Sequence, residues 1–411
     1  MAVAAFDLNL RHLRALVATV DLGSVSAAAT AVALSQPALT QGLAKLEAQL
    51  GTSLLERHAG GVRPSPDGSA MAVRAAAALR CLADATRDAL RPGRGFARPE
   101  TLMTATQLRA FLSLADEGSF VGAADVQGLS QPAVHRAVRD LEQVCGAALV
   151  ERRGRGVALT PAGRRIARGI RLAAREIEAG IVELSGEGDG GRIVIGAMPL
   201  SRALIVPHAI AATMRGTSNP ATMRAPNTPQ IVVVEGSWRE LVEPLRDGVI
   251  DLTVGALRDE APPDLDQRAL FVDEIAVVAR AGHPLAKDPA PTLAALACYG
   301  WIVGQAGTPL RSLWDAMFAG VAPPPAPIEC GSVMVIRGVL RDSDLLTLLS
   351  PDQVAMELRT GALALIGPPV PRARRTIGIT TRRDWRPTAV QARFVACIED
   401  AARLTRLPEN E

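Results

Sequence analysis

Residues Leu13–Gly68 recur without a gap at Leu108–Gly163, at a constant offset of 95 positions, with 23 identities in 56. Composition alone would give about 5. The identities include Gly23-Ser24 with Gly118-Ser119, Leu34-Ser35-Gln36-Pro37-Ala38 with Leu129-Ser130-Gln131-Pro132-Ala133, Leu46-Glu47 with Leu141-Glu142, and Glu56-Arg57 with Glu151-Arg152. Pro66 and Gly68 match Pro161 and Gly163. A repeat of this kind folds as the same small domain twice. A chain of 411 residues leaves room for a larger domain behind it.

Each copy has a readable order. Leu13, Leu16, Val17 and Val20, like Leu108, Phe111, Leu112 and Ala115, fall at helical spacing. Gly23 and Gly118 are stop signals, and Ser24 and Ser119 cap a short Ala-rich helix. Ser35 or Ser130 caps the next helix, with Pro37 or Pro132 in its first turn, where proline costs nothing. That helix carries Ala38, Leu39, Leu43 and Leu46 in copy one, and Ala133, Val134, Val138 and Leu141 in copy two. Its opposite face carries Thr40, Gln41 and Lys45 in the first, and His135, Arg136 and Arg139 in the second.

A short helix, a tight turn and a polar-faced second helix make a helix-turn-helix, whose second helix fits the major groove of B-DNA. Arginine binds guanine O6 and N7 in bidentate fashion, glutamine pairs with adenine, and a helix N-terminus offers free N–H groups to phosphate. The candidate reading residues are therefore Ser35, Gln36, Pro37, Thr40, Gln41 and Lys45, with Ser130, Gln131, Pro132, His135, Arg136 and Arg139. Behind the second helix, Arg152-Arg153-Gly154-Arg155-Gly156-Val157 reads as a hairpin wing, with Arg153 and Arg155 facing phosphate. Copy one's wing, Arg57–Arg63, is less basic. The window 130–175 holds ten arginines against Asp140, Glu142 and Glu151, a phosphate-facing patch. Copy one is the weaker reader. Gly42 costs its helix about 1 kcal/mol relative to alanine, and the copy could serve as a packing module.

Copy two, from Ser130-Gln131-Pro132-Ala133-Val134 through Leu149-Val150-Glu151-Arg152 to Leu159-Thr160-Pro161-Ala162-Gly163, resembles the winged helix of LysR-type transcriptional regulators. Copy one resembles it too, but has Pro64-Ser65-Pro66-Asp67-Gly68 where the family carries Leu-Thr-Pro-x-Gly. A typical member has one such domain; this chain has two. Helical linkers follow, over 69–90 and 164–184. The second carries an apolar stripe of Ile166, Ile170, Ile177, Ile181 and Leu184. The resemblance implies that this helix pairs two subunits into a homodimer or homotetramer, with four reading heads per dimer. The stripe by itself also fits packing within its own domain. Arg91-Pro92-Gly93-Arg94-Gly95 and Gly186–Gly191 read as hinges.

From Arg192 strands and helices alternate, which argues for mainly parallel sheet. The resemblance implies the family's two-lobed effector domain, with the type of fold found in periplasmic solute-binding proteins. The chain would cross between lobes near 258–272 and return near 366–376. Ligands favour the cleft between such lobes, beyond the carboxyl ends of strands. Met198, Pro199, Leu200, Ser201, Gln305, Thr308, Gly331 and Ser332 stand there, with Ser201 and Thr308 the leading candidates. Gly255–Arg258, Gly282–Leu285 and Gly307–Arg311 resemble the subgroup of galactose-binding-protein regulators, which implies a sugar or sugar-derived effector.

The expected architecture is multidomain, α followed by α/β. Winged helix-turn-helix domains at 8–68 and 103–163 are followed by linkers at 69–101 and 164–185. The effector domain spans 192–411, with lobe I at 192–258 and 376–411 and lobe II at 272–366. The expected function is a ligand-responsive, double-stranded-DNA-binding regulator in the cytoplasm. Its partners would be operator DNA, a small effector and a further copy of itself, with RNA polymerase as another candidate and no membrane. The rival is a solute receptor or enzyme on the same two-lobed fold. No Walker loop, H-E-x-x-H or G-x-S-x-G occurs, so no catalytic residue, metal or cofactor is assigned. Five widely spaced cysteines without C-x-x-C read as buried or idle thiols. No apolar run approaches the ~20 residues of a membrane span.

Overall fold

The structure is a computed structural model that describes residues 3–58, 61–89, 96–154, 156–185, 191–215, 228–371 and 373–404. Most of both expected hinges, 91–95 and 186–190, lies outside the described residues. The chain forms two compact units, one built on the first 191 residues and one on the chain from Arg192.

In the first unit, copy one runs α1 (Leu10–Leu22), α2 (Val25–Ala31), α3 (Gln36–Leu50), β1 (Leu55–His58), β2 (Gly61–Pro64) and α4 (Pro66–Ala89). Copy two runs α5 (Ala105–Glu117), α6 (Phe120–Gln127), α7 (Gln131–Cys145), β3 (Val150–Arg153), β4 (Gly156–Leu159) and α8 (Pro161–Leu184). Apart from the end of α6, every boundary repeats at the 95-residue offset. Gly23 and Gly118 end α1 and α5 in the left-handed region. Ser24 and Ser119 then cap α2 and α6 through the amides of Ala27 and Gly122. Each hairpin β1–β2 and β3–β4 is antiparallel.

The identities outside the core hold backbone together. Glu47 Oε1 accepts from the amides of Leu54 (2.8 Å) and Leu55 (3.2 Å), and Glu142 Oε1 repeats this with Leu149 (2.8 Å) and Val150 (3.2 Å). The carboxylate thus pins the start of each wing to the end of the helix before it. Thr160 Oγ1 donates to the Ala148 carbonyl and accepts from the Gly163 amide. Ser65 does the same with Ser53 and Gly68, so copy one's departure from the family motif keeps the bonds. Gly68 and Gly163 are required by close approach: a Cβ would lie 1.8 Å from the Leu54 carbonyl oxygen and 1.9 Å from that of Leu149.

Both copies share one core. Leu13, Leu16, Leu39 and Leu46 join Leu108, Phe111, Val134 and Leu141, all buried, with the inner faces of α4 and α8. Those two long helices lie antiparallel against each other: Gly169 meets Ala85 and Cys81 at one end, and Gly180 meets Met71 and Arg74 at the other. Ile166, Ile170 and Ile177 are at most 1 % exposed, a burial worth about 1.5–3 kcal/mol each. Most of the apolar stripe expected to pair two subunits is thus buried inside the chain's own first unit, where α8 packs on α4; Ile181 and Leu184 stay half-buried.

The second unit holds two five-stranded sheets. The first has the order β6–β5–β7–β14–β8, from β5 (Arg192–Ala197), β6 (Gln230–Glu235), β7 (Leu252–Ala256), β8 (Leu265–Glu274) and β14 (Arg374–Arg382). The second has the order β11–β10–β12–β9–β13, from β9 (Ala276–Arg280), β10 (Trp301–Val303), β11 (Ile328–Glu329), β12 (Leu346–Leu349) and β13 (Leu363–Ile366). Helices α9 (Ile205–Met214) and α15 (Ala389–Leu404) cover the first sheet, burying Ile193, Ile195, Ile377 and Phe394. Between α9 and α15 in sequence come α10 (Trp238–Arg246), α11 (Leu293–Ala297), α12 (Pro309–Met317), α13 (Val333–Arg341) and α14 (Ala355–Arg359). Trp301 of β10 meets Trp314 and Phe318 edge-on.

Two expectations change. The sheets are mixed rather than mainly parallel: β5 runs parallel to β6 and β7, but β14 is antiparallel to β7 and β8, and β9 is antiparallel to β12 and β13. The expected crossover at 258–272 mostly belongs to β8, a ten-residue edge strand, so the chain passes between sheets at Ile275. Asp266, Gln267 and Arg268 hide this strand in the sequence, because an edge strand tolerates charged side chains that an interior one does not. Gly163→Ala is expected to lower stability by about 1–3 kcal/mol in a urea titration, because the added methyl must displace backbone rather than a side chain.

Candidate functional site

The outer face of α7 follows from its inner one. Val134, Val138, Leu141 and Cys145 are buried at helical spacing, so Gln131, Pro132, His135, Arg136 and Arg139 are exposed. Ser130 stands at the N-cap but its side chain makes no cap hydrogen bond, unlike Ser35, which accepts from Ala38 N at 3.4 Å. His135 is exposed yet held, its ring 5.0 Å from that of Phe120. Among the described residues, Arg136, Arg139 and Arg153 make no ion pair and no side-chain hydrogen bond. Other arginines of the basic window are tied down: Arg164 to the Leu159 carbonyl, Arg171 to Asp116 and Arg175 to Glu178. The window is therefore two populations: most arginines of α8 are tied down, whereas among the described residues those on α7, on its wing and, through the exposed Arg165, at the start of α8 are free to meet an anion. Arg155 lies outside the described residues.

In copy one, Gln36, Pro37, Thr40, Gln41 and Lys45 are exposed on α3. Thr40 Oγ1 donates to the Gln36 carbonyl at 3.0 Å. Gly42 has a local purpose: a Cβ there would lie 2.8 Å from the His12 ring of α1. Burial, and then the Lys45 charge, push the His12 pKa down, so this imidazole stays neutral against the helix. The wing is less available than copy two's, since Arg63 pairs with Glu56 at 2.8 Å.

The second unit contains a cavity of about 150 Å³. Met198, Pro199, Leu200, Gln305, Thr308 and Gly331, all expected from strand ends, line it. Ser201 and Ser332 do not. Ser201 is fully buried and its hydroxyl bonds the Met198 and Val254 carbonyls, at 2.9 and 2.8 Å. Ser332 caps α13 through the Val335 amide. Thr308 Oγ1 donates to the Gln305 carbonyl at 2.7 Å from the cavity rim.

The cavity's strongest groups escape sequence reasoning. Arg258 and Arg375 both line it, and Arg258 Nε and Arg375 Nη2 are buried without a hydrogen-bond partner. Arg375 Nε donates to the buried Asp273 carboxylate at 2.7 Å, which Ser350 Oγ also meets at 2.6 Å. Arg258 lies 5.9 Å from the centroid of the Trp238 ring. Burial, followed by the charges of Arg375 and Arg239, holds the Arg258 pKa below its ordinary value. Guanidiniums left short of partners in an apolar-lined cavity suit an anion. Arg258 closes the Gly255–Arg258 phrase, which carried a subgroup resemblance but no role for its side chain, and Arg375 sits in no motif; only the pairing of β14 with β7 and β8 brings Arg375 to the cavity.

Other chemistry is sparse among the described residues. No group of three or more His, Cys, Asp and Glu side chains is placed to hold a metal ion. No described helix is long and apolar enough to cross a membrane. Burial, then Glu142, raises the Cys145 thiol to about 12, so it stays protonated, whereas Cys298 is exposed.

Comparison with known proteins gives matches over nearly the whole chain. Residues 10–69 and 105–164 each match the bacterial regulatory helix-turn-helix domain of the LysR family, and residues 186–403 match the LysR substrate binding domain. The regulator GalR of Pseudomonas putida is 34 % identical over 395 residues, which cover 95 % of this chain and 96 % of the relative. The regulator PcaQ of Agrobacterium fabrum is 28 % identical over 303 residues, 72 % of this chain and 94 % of the relative. Among solved structures, ArgP from Mycobacterium tuberculosis superposes with a TM-score of 0.57 at 19 % identity, covering 72 % of this chain and 96 % of that one.

Ser201→Ala is expected to lower unfolding free energy by about 0.5–1.5 kcal/mol in a urea titration, the net worth of its buried bonds. Thr308→Ala, at the cavity rim, should stay within about 0.5 kcal/mol of the parent.

Proposed function

The chain belongs to the LysR family of transcriptional regulators, and from that premise we propose that α3 and α7 read duplex DNA in the major groove while the cavity of the second unit takes a small carboxylate. The observation that carries the DNA assignment is the pair of exposed, unpaired guanidiniums of Arg136 and Arg139 on the face of α7 opposite its buried stripe. Gln131, Pro132 and the amides at the α7 N-terminus would meet the sugar–phosphate backbone, with Arg153 on the wing. Gln36, Gln41 and Lys45 play these parts on α3. The domain limits of this reading are 8–68 and 103–163 for the heads and 192–411 for the sensor.

Two guanidiniums in an apolar cavity favour an anionic head on a compact body over a neutral sugar; a sugar acid satisfies both this chemistry and the subgroup resemblance. Ligand binding would act by differential affinity for two arrangements of the protein, typically ~1–3 kcal/mol of coupling. No bond-making step is needed, and the role is that of a binding protein rather than an enzyme. Contact with RNA polymerase belongs to the same reading, as the step through which a bound regulator alters transcription.

Arg136→Ala with Arg139→Ala should weaken binding to a duplex selected by the full-length protein by about 1–3 kcal/mol and flatten its salt dependence. Unchanged affinity in a gel-shift titration at fixed salt would remove α7 from the interface. A panel of small carboxylates and neutral sugars, screened by thermal shift, should show stabilisation by carboxylates alone, lost in Arg258→Met. Stabilisation by a neutral sugar that survives Arg258→Met would refute the anion assignment.

A further inference from the structure

The pairing of α4 with α8 is a two-fold arrangement inside one chain. Under the 95-residue offset, Arg74 corresponds to Gly169 and Ala85 to Gly180. Gly180 packs on Arg74, and the exchanged pair, Gly169 on Ala85, packs in the same way at the other end of the contact. A second exchanged pair confirms the relation. Arg14 of α1 donates to the Thr101 carbonyl at 2.8 Å, and its counterpart Arg109 donates to the Phe6 carbonyl at 2.5 Å, Phe6 being the counterpart of Thr101. Each copy thus grips the turn that precedes the other.

The two halves are not interchangeable. Arg74, 5 % exposed, bonds Glu176 and Glu183 of α8. Burial alone would lower its pKa, but the bonds to the two carboxylates outweigh that and hold it raised. The counterparts of these three residues are Gly169, Cys81 and Asp88. An α8–α8 pair between chains would set Gly169 against the two glutamates and leave them without their arginine. The contact therefore selects copy one with copy two, and the covalent connection between them supplies the high effective concentration that favours pairing within a chain.

The reading faces also differ. At matched positions α3 carries Thr40, Gln41, Ala44 and Lys45 where α7 carries His135, Arg136, Arg139 and Asp140. We infer that one chain is a complete two-headed DNA reader, and that its unlike heads address two unlike half-sites. A symmetric pair of identical heads reads an inverted repeat; this pair has the two-fold placement without the identity. The inference rests on the proposed reading by α3 and α7.

The test is selection from random duplex DNA by the full-length protein, repeated with Gln41→Ala/Lys45→Ala and with Arg136→Ala/Arg139→Ala, all exposed substitutions that spare the core. The parent should enrich a site with two different half-motifs whose centres are a whole number of helical turns apart, about 10 base pairs each. Each double variant should randomise one half-motif and keep the other. An inverted repeat untouched by the α3 variant, with both halves lost in the α7 variant, overturns the inference and leaves the DNA-reading function standing. No enrichment at all removes the reading premise and this inference with it. Independently, Arg74→Ala should lower Tm without changing particle mass by light scattering; a drop in mass would show that α4 and α8 pair across chains and overturn the single-chain reader.

Discussion

A buried arginine shared by two carboxylates fixes the geometry of the first unit. Arg74 is nearly out of contact with water between Glu176 and Glu183. Such a cluster contributes little net stability over an apolar contact, because desolvation offsets most of the attraction. Its force lies in what it forbids. Slide α8 by one turn and the buried arginine loses its carboxylates, which costs several kcal/mol; replace α4 by a second α8 and the two glutamates lose their cation. The apolar stripe of Ile166, Ile170 and Ile177 supplies adhesion without direction; the arginine supplies register.

Duplication has preserved and varied different things. Residues that hold backbone have stayed: Glu47 and Glu142 at the wing amides, Gly68 and Gly163 under a carbonyl, and Ser65 and Thr160 as equivalent hydroxyls. Beyond the shared Gln-Pro start, the outward residues of α3 and α7 have diverged, Thr40, Gln41, Ala44 and Lys45 against His135, Arg136, Arg139 and Asp140. Two inward changes stand out: Arg74 for Gly169, which sets how the copies pair, and Gly42 for the Ala137 of copy two, which admits the His12 ring and so belongs to packing rather than to reading. Propensity alone counts that glycine as a weakness, because it cannot see what the missing methyl makes room for.

The first unit was legible because its signals are local: caps, stop glycines and apolar spacing lie within a few residues of one another, and they occur twice. What joins the copies was not, since Arg74 and Glu176 are 102 positions apart and no periodicity links them. The second unit was legible in element order and less so in topology. Strand β8 is masked by Asp266, Gln267 and Arg268, and the return of β14 beside it turns an expected parallel sheet into a mixed one. Strand ends supplied six lining residues of the cavity, but Ser201 failed as a candidate because it is fully buried outside the cavity lining, with its one proton directed at core carbonyls. Arg258 and Arg375 come together only through the pairing of distant strands.

On the proposed assignment, those two arginines would give a small ligand leverage in the second unit. Both belong to the first sheet and its connections, one just beyond β7 and the other on β14, while Gln305, Thr308 and Gly331 follow strands of the second sheet. Like charges in a low-dielectric cavity repel, and Asp273 engages only one edge of Arg375. A carboxylate seated between the guanidiniums relieves that repulsion and supplies acceptors for N–H groups that have none. Its body then meets groups on the other sheet. A ligand contributes to switching only by what it gains in one arrangement and not in the other. In the proposed binding mode the charge would anchor the ligand to one sheet, and the differential part of its binding energy would come from the contacts it makes with the second.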